Sequence, residues 1–229
     1  MSTTLTWLGH SAFQVRTDGK SILVDPFLTH NPAAQLSAED VEADAILVTH
    51  GHEDHIGDTI AIASRTGAIV VANFEIVTWL QQQGVASVHG MNIGGSHAFD
   101  FGTVKFTIAH HTSALPDGRN GGCPAGIILK TVDGTIYFAG DTGLFLDMQL
   151  IGEEGLDVAV LPIGDNYTMG IDDSVRATSM LTPRTVIPMH YSTWPIIDQN
   201  SESWAQKVRA QTAAQPVVLQ VGETFVLAK

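Results

Sequence analysis

The sequence predicts an α/β fold in which two mixed β-sheets carry helices on their outer faces. Two observations support this prediction. Strands joined by tight turns occur at the start and in the middle of the chain, and units of a short strand followed by a helix occur elsewhere. Short apolar runs also end repeatedly in polar residues, as strands of α/β proteins do where they reach a site. Hairpins mixed with strand–helix units favour two mixed sheets with helices outside.

The first half of the chain begins with strands and then alternates strands with helices. Polar and apolar residues alternate over Thr4–Val15, a turn follows at Asp18-Gly19, and the apolar run Ile22–Val24 leads into Asp25-Pro26. We then expect buried strands over Ala45–Thr49 and Ala68–Ala72, and helices over Asp58–Thr66 and Phe74–Gln83. A glycine follows each of these helices, as it does at many helix ends.

The second half is richer in strands. Predicted strands cover Ala98–Phe101, Thr103–Ala109, Gly126–Val132, Thr135–Ala139, Val158–Pro162, Thr185–Pro188 and Val217–Val226, and predicted helices cover Asp173–Leu181 and Glu202–Thr212. No low-complexity segment and no Pro- or Ser-rich linker divides the chain. We therefore expect a single domain over residues 1–229.

The charge balance excludes some partners. The 229 residues carry a formal net charge of −13, from 24 acidic and 11 basic side chains. Nucleic acids are not expected partners, because their binding depends on lysines and arginines that neutralise phosphates. A small anionic substrate stays open, since a metal ion reverses the local field of a site. The single cysteine, the lack of signal-peptide features and the lack of a long apolar run predict a cytoplasmic protein with no membrane partner.

One segment carries the clearest chemistry. His50-Gly51-His52-Glu53-Asp54-His55 directly follows a predicted buried strand. Histidine and aspartate are ligands that zinc and neighbouring transition metals accept. On a tight turn, His50 and His52 point the same way and share one ion, while Asp54 and His55 reach a second ion nearby. The segment predicts a two-metal site.

Two ions need more ligands than this segment offers. Asp141, flanked by glycines at the end of a predicted strand, is the candidate to bridge them; the alternative is a helix N-cap before Leu144–Leu150. His190 also follows a buried strand, and its alternative is a structural histidine. The last ligand is His110 or His111, and only one is expected to enter the site because successive strand residues point to opposite faces.

These residues resemble the metallo-β-lactamase superfamily, whose signature is His-x-His-x-Asp-His followed by His, Asp and His in that order. The chain is more closely similar to the UPF0173 group of small bacterial metal-dependent hydrolases, relatives of the ascorbate-phosphate lactonases. The similarity runs through most of the chain, and its segments include Gly9-His10-Ser11, Asp25-Pro26-Phe27, Thr49–Gly57, Pro124-Ala125-Gly126, Ala139–Thr142, Leu161–Gly170 and Pro188–Tyr191. The resemblance implies a four-layer αββα sandwich.

The resemblance also implies which residues bind which ion. It places His50, His52 and His111 on the first metal, Asp54, His55 and His190 on the second, and Asp141 between them. It favours His111 over His110, because the group has its third histidine directly before a small polar residue, here Thr112.

The expected activity is hydrolysis of a small ester, lactone or phosphoester. A metal-bound hydroxide is the expected nucleophile, with Asp54 and Asp141 as catalytic residues. His52 stands where the di-iron reductases of the superfamily have a carboxylate, which favours hydrolysis. The expected cofactor is a pair of divalent transition-metal ions, zinc first, with Mn²⁺, Ni²⁺, Fe²⁺ and Co²⁺ as alternatives.

Further residues are candidates for holding the ligands or lining the pocket. Asp25 is expected to accept a proton from a ligand histidine, or else to be a turn carboxylate before Pro26. His10 is expected to line the pocket, with a structural or surface histidine as the alternative. The loop after Val158–Pro162 supplies four more candidates, which contact substrate or else form a structural turn: Asp165, Asn166, Tyr167 and Met169.

Two other functions remain open at this stage. A metal-dependent nuclease or phosphodiesterase shares the same ligand loop, although the charge of −13 is unfavourable for it. A non-catalytic metal-binding scaffold is the second alternative. A small-molecule substrate is the expected partner, and assembly into a homo-oligomer is suggested by analogy with related lactonases. The natural substrate and the physiological metal do not follow from the sequence.

Overall fold

Two seven-stranded mixed β-sheets form the centre of the protein, seen here in a computed structural model that describes residues 2–227. Residues 1, 228 and 229 lie outside this range, and so do the outer bounds of the predicted 1–229 domain. In chain order the strands are β1 (Thr4–Gly9), β2 (Ala12–Thr17), β3 (Lys20–Val24), β4 (Ala45–Leu47), β5 (Ile69–Asn73), β6 (Val88–Met91), β7 (Ser96–Phe99), β8 (Gly102–Ile108), β9 (Ala125–Lys130), β10 (Thr135–Phe138), β11 (Val158–Pro162), β12 (Thr185–Met189), β13 (Gln215–Pro216) and β14 (Thr224–Val226). The helices are α1 (Glu53–Ile56), α2 (Thr59–Thr66), α3 (Phe74–Gln82), α4 (Met148–Gly152), α5 (Ile171–Leu181) and α6 (Ser201–Gln211), with a short 3₁₀ turn over Pro195–Ile197.

Each sheet has an antiparallel half and a parallel half. The first sheet has the order β14-β1-β2-β3-β4-β5-β6, and its pairs from β3 to β6 are parallel. The second sheet has the order β13-β12-β11-β10-β9-β8-β7, and its pairs from β10 to β13 are parallel. The carboxyl ends of parallel strands meet at one edge of a sheet, so this topology gathers the residues that follow β3, β4, β10 and β12.

The core consists of two apolar layers. Inward-facing residues of the two sheets pack against each other, and the rings of Phe13 and Phe138 meet across the interface at 5.8 Å. A second cluster, which includes Ile46 and Ile62, fills the space between the first sheet and helices α2 and α3. Helices α5 and α6 cover the second sheet, where the fully buried Trp204 donates to the Ser174 hydroxyl at 3.1 Å. This arrangement confirms the predicted αββα sandwich.

The predicted elements differ from the structure where the chain reverses. The alternation over Thr4–Val15 belongs to two strands, because Gly9 and His10 adopt left-handed backbone conformations (φ 105° and 55°) and turn the chain back on itself. The predicted strand over Val217–Val226 is also wrong. Gly222 turns the chain there, and only Thr224–Val226 forms a strand. This strand pairs with β1 at the edge of the first sheet.

Five short elements were not predicted, namely α1, α4, β6, β13 and the 3₁₀ turn over Pro195–Ile197. Strand β6 lies at the edge of its sheet and is only partly buried, so its sequence Val-His-Gly-Met lacks the apolar pattern of an internal strand. None of the described helices is long and apolar enough to cross a membrane.

Candidate metal centre

The ends of six strands deliver the predicted site residues to one place. The loop after β4 leads through His50 and His52 into α1, which carries Asp54 and His55. The other residues follow strands directly or within three residues: His10 after β1, Asp25 after β3, His111 after β8, Asp141 after β10 and His190 after β12. Within the described part of the chain, these histidines and the aspartates Asp54 and Asp141 form three overlapping groups, and in each group the potential ligand atoms lie within 4.8 Å of one another.

The first group consists of His50, His52 and His111. His50 Nε2 lies 3.0 Å from His52 Nδ1, and the ring of His111 is 5.1 Å from each of the other two rings. His50 is fully buried, whereas His52 and His111 are partly exposed. The loop that carries His111 is joined to the metal-binding segment because Gly51 N donates to Ser113 Oγ at 3.0 Å.

His110 lies apart from this group. Its ring stacks on Phe145 at 4.7 Å with an interplanar angle of 12°, and its backbone N–H donates to Thr142 Oγ1 at 2.9 Å. The two residues lie in the bend after β8, where His111 N donates to Ala109 O at 3.2 Å, so one histidine of the pair enters the cluster and the other packs outside it. The structure brings in His111, the residue that the resemblance favours.

The second group consists of Asp54, His55, His190 and His10. The Oδ2 atom of Asp54 lies 3.1 Å from His10 Nε2, 3.7 Å from His190 Nε2 and 3.9 Å from His55 Nε2. The sequence predicted that His10 lines the pocket; His10 is fully buried and absent from the cavity wall, and it contacts Asp54 from behind. The signal that would have found it is Gly9-His10, where the chain reverses and turns the histidine inward.

Asp141 lies between the two groups. Its carboxylate is 3.2 Å from His55 Nε2, 3.0 Å from His190 Nε2 and 3.5 Å from His111 Nε2. It therefore contacts both predicted ligand sets, as a bridging carboxylate must. The alternative role as an N-cap is wrong, because α4 begins only at Met148 and has Asp147 as its N-cap.

Asp25 holds one of these histidines in place. Its buried carboxylate accepts hydrogen bonds from Thr49 N at 2.8 Å, from Thr49 Oγ1 at 2.6 Å and from His55 Nδ1 at 2.8 Å. Since Nδ1 of His55 is engaged by Asp25, Nε2 is the nitrogen that faces Asp141 and Asp54. The sequence predicted this kind of contact for Asp25.

The charges in the cluster balance each other. Burial by itself lowers the pKa of His55, but the carboxylates of Asp141, Asp25 and Asp54 outweigh it and hold that pKa well above its usual value. The same competition, between burial and Asp141, raises the pKa of His190 to about 9. Burial raises the pKa of Asp141, but His190 and His55 outweigh it and hold that pKa well below the usual range. The cluster thus concentrates ionised carboxylates next to histidines that hold protons.

The donor atoms fit a divalent metal. Among residues 2–227, several buried polar atoms of this cluster lack a hydrogen-bond partner: His55 Nε2, Asp141 Oδ1 and both ring nitrogens of His190. Unpartnered polar atoms in a protein interior are costly, and cations that accept their lone pairs remove this cost. The set contains only imidazole nitrogens and carboxylate oxygens, which suits zinc, manganese, iron, cobalt and nickel.

A cavity of about 400 Å³ opens onto the cluster. Besides the cluster residues, Thr112, Tyr167 and Trp194 form its walls. Sequence reasoning indicated Tyr167 but gave Thr112 no role in the wall, although it directly follows the predicted ligand His111. It missed Trp194, because nothing in the local sequence reveals that this loop reaches the site.

The other three candidates from the Tyr167 loop have structural positions. Asp165 and Asn166 adopt left-handed conformations (φ 61° and 49°) and form the turn, and Met169 is buried in the core. The three are absent from the walls of this cavity. The turn presents Tyr167 to the cavity.

Comparison with known proteins shows similarity over almost the whole chain. Residues 4–190 match the Beta-lactamase superfamily domain. A UPF0173 metal-dependent hydrolase of Bacillus thuringiensis is 50% identical over 229 residues, covering 97% of this chain and 99% of the relative.

Solved structures are also similar to this chain over almost its whole length. Igni18, a metallo hydrolase of the archaeon Ignicoccus hospitalis, is 41% identical with a TM-score of 0.91, covering 99% of this chain and 98% of the other. An isothiocyanate hydrolase from Delia radicum gut bacteria shares the fold, with a TM-score of 0.76 at 22% identity over 98% of this chain and 99% of the other.

Proposed function

The chain belongs to the metallo-β-lactamase superfamily and, within it, to the UPF0173 metal-dependent hydrolases, and from this membership we propose that it is a hydrolase with a two-metal centre. The proposed substrate is a small molecule with an ester, lactone or phosphoester bond. One observation carries the proposal: two groups of ligand atoms lie side by side with the Asp141 carboxylate in contact with both.

The proposed ligand sets follow the geometry. His50, His52 and His111 would hold one ion, Asp54, His55 and His190 the other, and Asp141 both. We propose zinc first, with Mn²⁺, Ni²⁺, Fe²⁺ and Co²⁺ as alternatives. When bound, two such ions lower the pKa of a coordinated water from 15.7 to about 7 and supply a nucleophile at neutral pH.

The chain's own residues prepare this chemistry. Asp25 fixes the His55 ring so that Nε2 faces the cluster. Burial lowers the pKa of His10 to about 4, so the ring is neutral, and its Nε2–H donates to Asp54 Oδ2 at 3.1 Å. Its Nδ1 then accepts from the Thr193 hydroxyl at 2.8 Å. The contact with His10 holds Asp54 in the orientation in which Oδ2 also lies 3.7 Å from His190 Nε2 and 3.9 Å from His55 Nε2, so the carboxylate is placed for ligation or for positioning the attacking water.

Metal content of matched variants tests the two-metal centre. Protein purified without chelator or metal-affinity resin should hold close to two equivalents of a transition metal per chain, measured by elemental mass spectrometry. His111→Ala should lose metal clearly, whereas His110→Ala should keep it, because the ring of His110 stacks on Phe145 outside the cluster. Less than half an equivalent, even after incubation with Zn²⁺ or Mn²⁺, would favour the non-catalytic scaffold.

Substrates of different classes test the reaction. The metal-loaded protein should hydrolyse small esters or lactones, and the loss of activity in Asp141→Ala should accompany loss of metal. RNA is the comparison substrate for the nuclease alternative, which the net charge of −13 disfavours. Preferential cleavage of RNA would contradict the proposed small-molecule function.

A further inference from the structure

Two aromatic residues, together with Thr112, form the part of the cavity wall that lies outside the predicted ligands. The Trp194 ring lies edge-on to His10 with ring centres 4.9 Å apart, and 6.2 Å from the ring of Phe27. Tyr167 is 57% exposed and follows the left-handed turn at Asp165-Asn166. That turn is fixed by a backbone hydrogen bond from Asp165 N to Met169 O at 3.1 Å. A substrate in the cavity therefore lies against walls that include an indole and a phenol ring.

The walls of the cavity contain no lysine or arginine, and His190, one of their histidines, already contacts the Asp141 carboxylate at 3.0 Å. Within the described part of the chain, every lysine and arginine except Arg16 forms an ion pair with a carboxylate near the surface. Arg16 lies on β2 opposite Thr4 and Ser21. It is four residues along that strand from Ala12, whose partner Gly9 directly precedes His10. Four residues of a strand span about 13 Å. Arg16 is thus at the far end of its strand from the cluster.

The aromatic rings in the wall and the absence of lysine and arginine both favour a substrate without charge. A charged group that leaves water for a cavity without a cationic partner loses its hydration without compensation. The net charge of −13 adds a general repulsion of anions. A flat apolar group, by contrast, gains contact with aromatic rings. The metal ions do not alter this balance for the outer part of a substrate, because they would face the bond that is cleaved.

We propose that the cavity selects substrates that carry no charge outside the bond that is cleaved, and whose flat apolar part packs between Trp194 and Tyr167. Neutral aryl esters and unphosphorylated lactones fit this description. Lactones with a phosphate or carboxylate substituent do not, although the sequence left small anionic substrates open. This inference rests on the proposed hydrolase function and narrows its substrate class.

Three acetate esters test the proposal by turnover. They are phenyl acetate, methyl acetate and 4-carboxyphenyl acetate, and each rate of the metal-loaded enzyme is divided by the rate of hydroxide-catalysed hydrolysis of the same ester. We expect phenyl acetate to exceed each of the other two by about tenfold in normalised kcat/KM, the effect of one good aromatic contact. Equal values for phenyl and 4-carboxyphenyl acetate would overturn the proposal.

Substitutions assign the effect to the walls. Trp194→Ala should remove most of the preference for phenyl over methyl acetate, mainly through KM. Thr112→Lys places a cation at the rim and should raise kcat/KM for 4-carboxyphenyl relative to phenyl acetate by about tenfold. Phe74→Ala removes an exposed aromatic ring away from this cavity and should leave both ratios unchanged. An unchanged phenyl-to-methyl ratio in Trp194→Ala would refute the role of the wall.

Ligand binding tests the wall without turnover. Trp194 is partly exposed, whereas the other three tryptophans, Trp7, Trp79 and Trp204, are buried, so a ligand in the cavity changes mainly its fluorescence. Benzamide should quench the emission at concentrations at least tenfold lower than benzenesulfonate, and Trp194→Phe should remove the quenching by both ligands, which assigns the signal to Trp194. If benzamide quenches but no ester is hydrolysed, the hydrolase function fails and the wall inference stands. If esters are hydrolysed and the two ligands bind equally, the wall inference fails and the function stands.

Discussion

Replacing Asp25 by asparagine tests how far a residue without contact to metal governs the site. The carboxylate is buried and accepts three hydrogen bonds, from Thr49 N, Thr49 Oγ1 and His55 Nδ1. Asparagine keeps the shape but turns one oxygen into an NH₂ donor. The Thr49 hydroxyl can rotate and accept from this donor. The Nδ1–H of His55 cannot accept a hydrogen bond from this NH₂ group, because two donors would then face each other.

The consequence for His55 is a change of tautomer. The ring avoids the conflict when its proton moves to Nε2, which lies 3.2 Å from Asp141 Oδ1 and can donate to it in the metal-free protein. That tautomer has no lone pair on Nε2 for a metal. Loss of such a supporting contact typically costs 10- to 100-fold in metal affinity, or about 1.4 to 2.7 kcal/mol. The metal-free protein keeps its hydrogen bonds, so its free energy of unfolding should fall by less than about 1 kcal/mol.

The assay therefore compares two quantities for the same variant. Metal affinity is measured by competition with a chromophoric chelator, and the free energy of unfolding of the metal-free protein by urea denaturation. Asp44→Asn is the matched control, because this carboxylate accepts from Ser21 N at 2.9 Å at the opposite end of the same strands. Metal affinity of Asp25→Asn within twofold of the wild type, in a folded protein, would refute the proposed role of the Asp25–His55 contact.

Three further predictions concern the same site. His10→Ala should keep two metal equivalents but lower kcat by about 10- to 100-fold, because Asp54 loses the donor that orients it; loss of one metal equivalent would instead make His10 a ligand. Metal affinity should rise from pH 6 to about 9 and then level off, because a proton leaves His190, whose pKa of about 9 exceeds that of a free histidine, when the ion binds; calorimetry in buffers of different ionisation enthalpy measures that proton. Zn²⁺ at about 100 times its Kd should stabilise the protein by about 2.7 kcal/mol and raise Tm by roughly 5–10 °C, as differential scanning calorimetry will show.

The parts of the site that the sequence predicted are those with a local signature. His50, His52, Asp54 and His55 lie within six residues, and their types and spacing carry the information. Asp141 and His190 directly follow or lie close to the ends of buried strands, whose apolar runs are visible in the sequence. Parallel pairing then gathers such ends at one edge of the sheets, so local pattern and topology agree.

The parts that were missed depend on contacts between distant segments. His10 reaches Asp54 only because Gly9 and His10 reverse the chain, and the alternation over Thr4–Val15 is equally compatible with a continuous strand. Trp194 reaches the cavity because its ring packs against His10, 184 positions away in the sequence. Period-2 and period-3.6 patterns report which face of an element is buried, but they do not report which loop covers a cavity.

The backbone conformation gives an independent reason to regard His10, Asp25 and His190 as selected for chemistry. His10, Asp25 and His190 all adopt left-handed conformations, with φ of 55°, 44° and 54°, although a side chain with a Cβ pays a steric cost there of about 1–2 kcal/mol relative to the right-handed form. Glycine would avoid this cost at each position. The surrounding contacts impose the conformation instead: the carbonyl of His10 accepts from both His190 N at 3.1 Å and Trp7 Nε1 at 3.0 Å. The left-handed turn at Asp165-Asn166 shows that this conformation alone does not mark a site. At His10, Asp25 and His190, however, the side chain that carries the cost also contacts the cluster, so stability is traded there for the side chain itself.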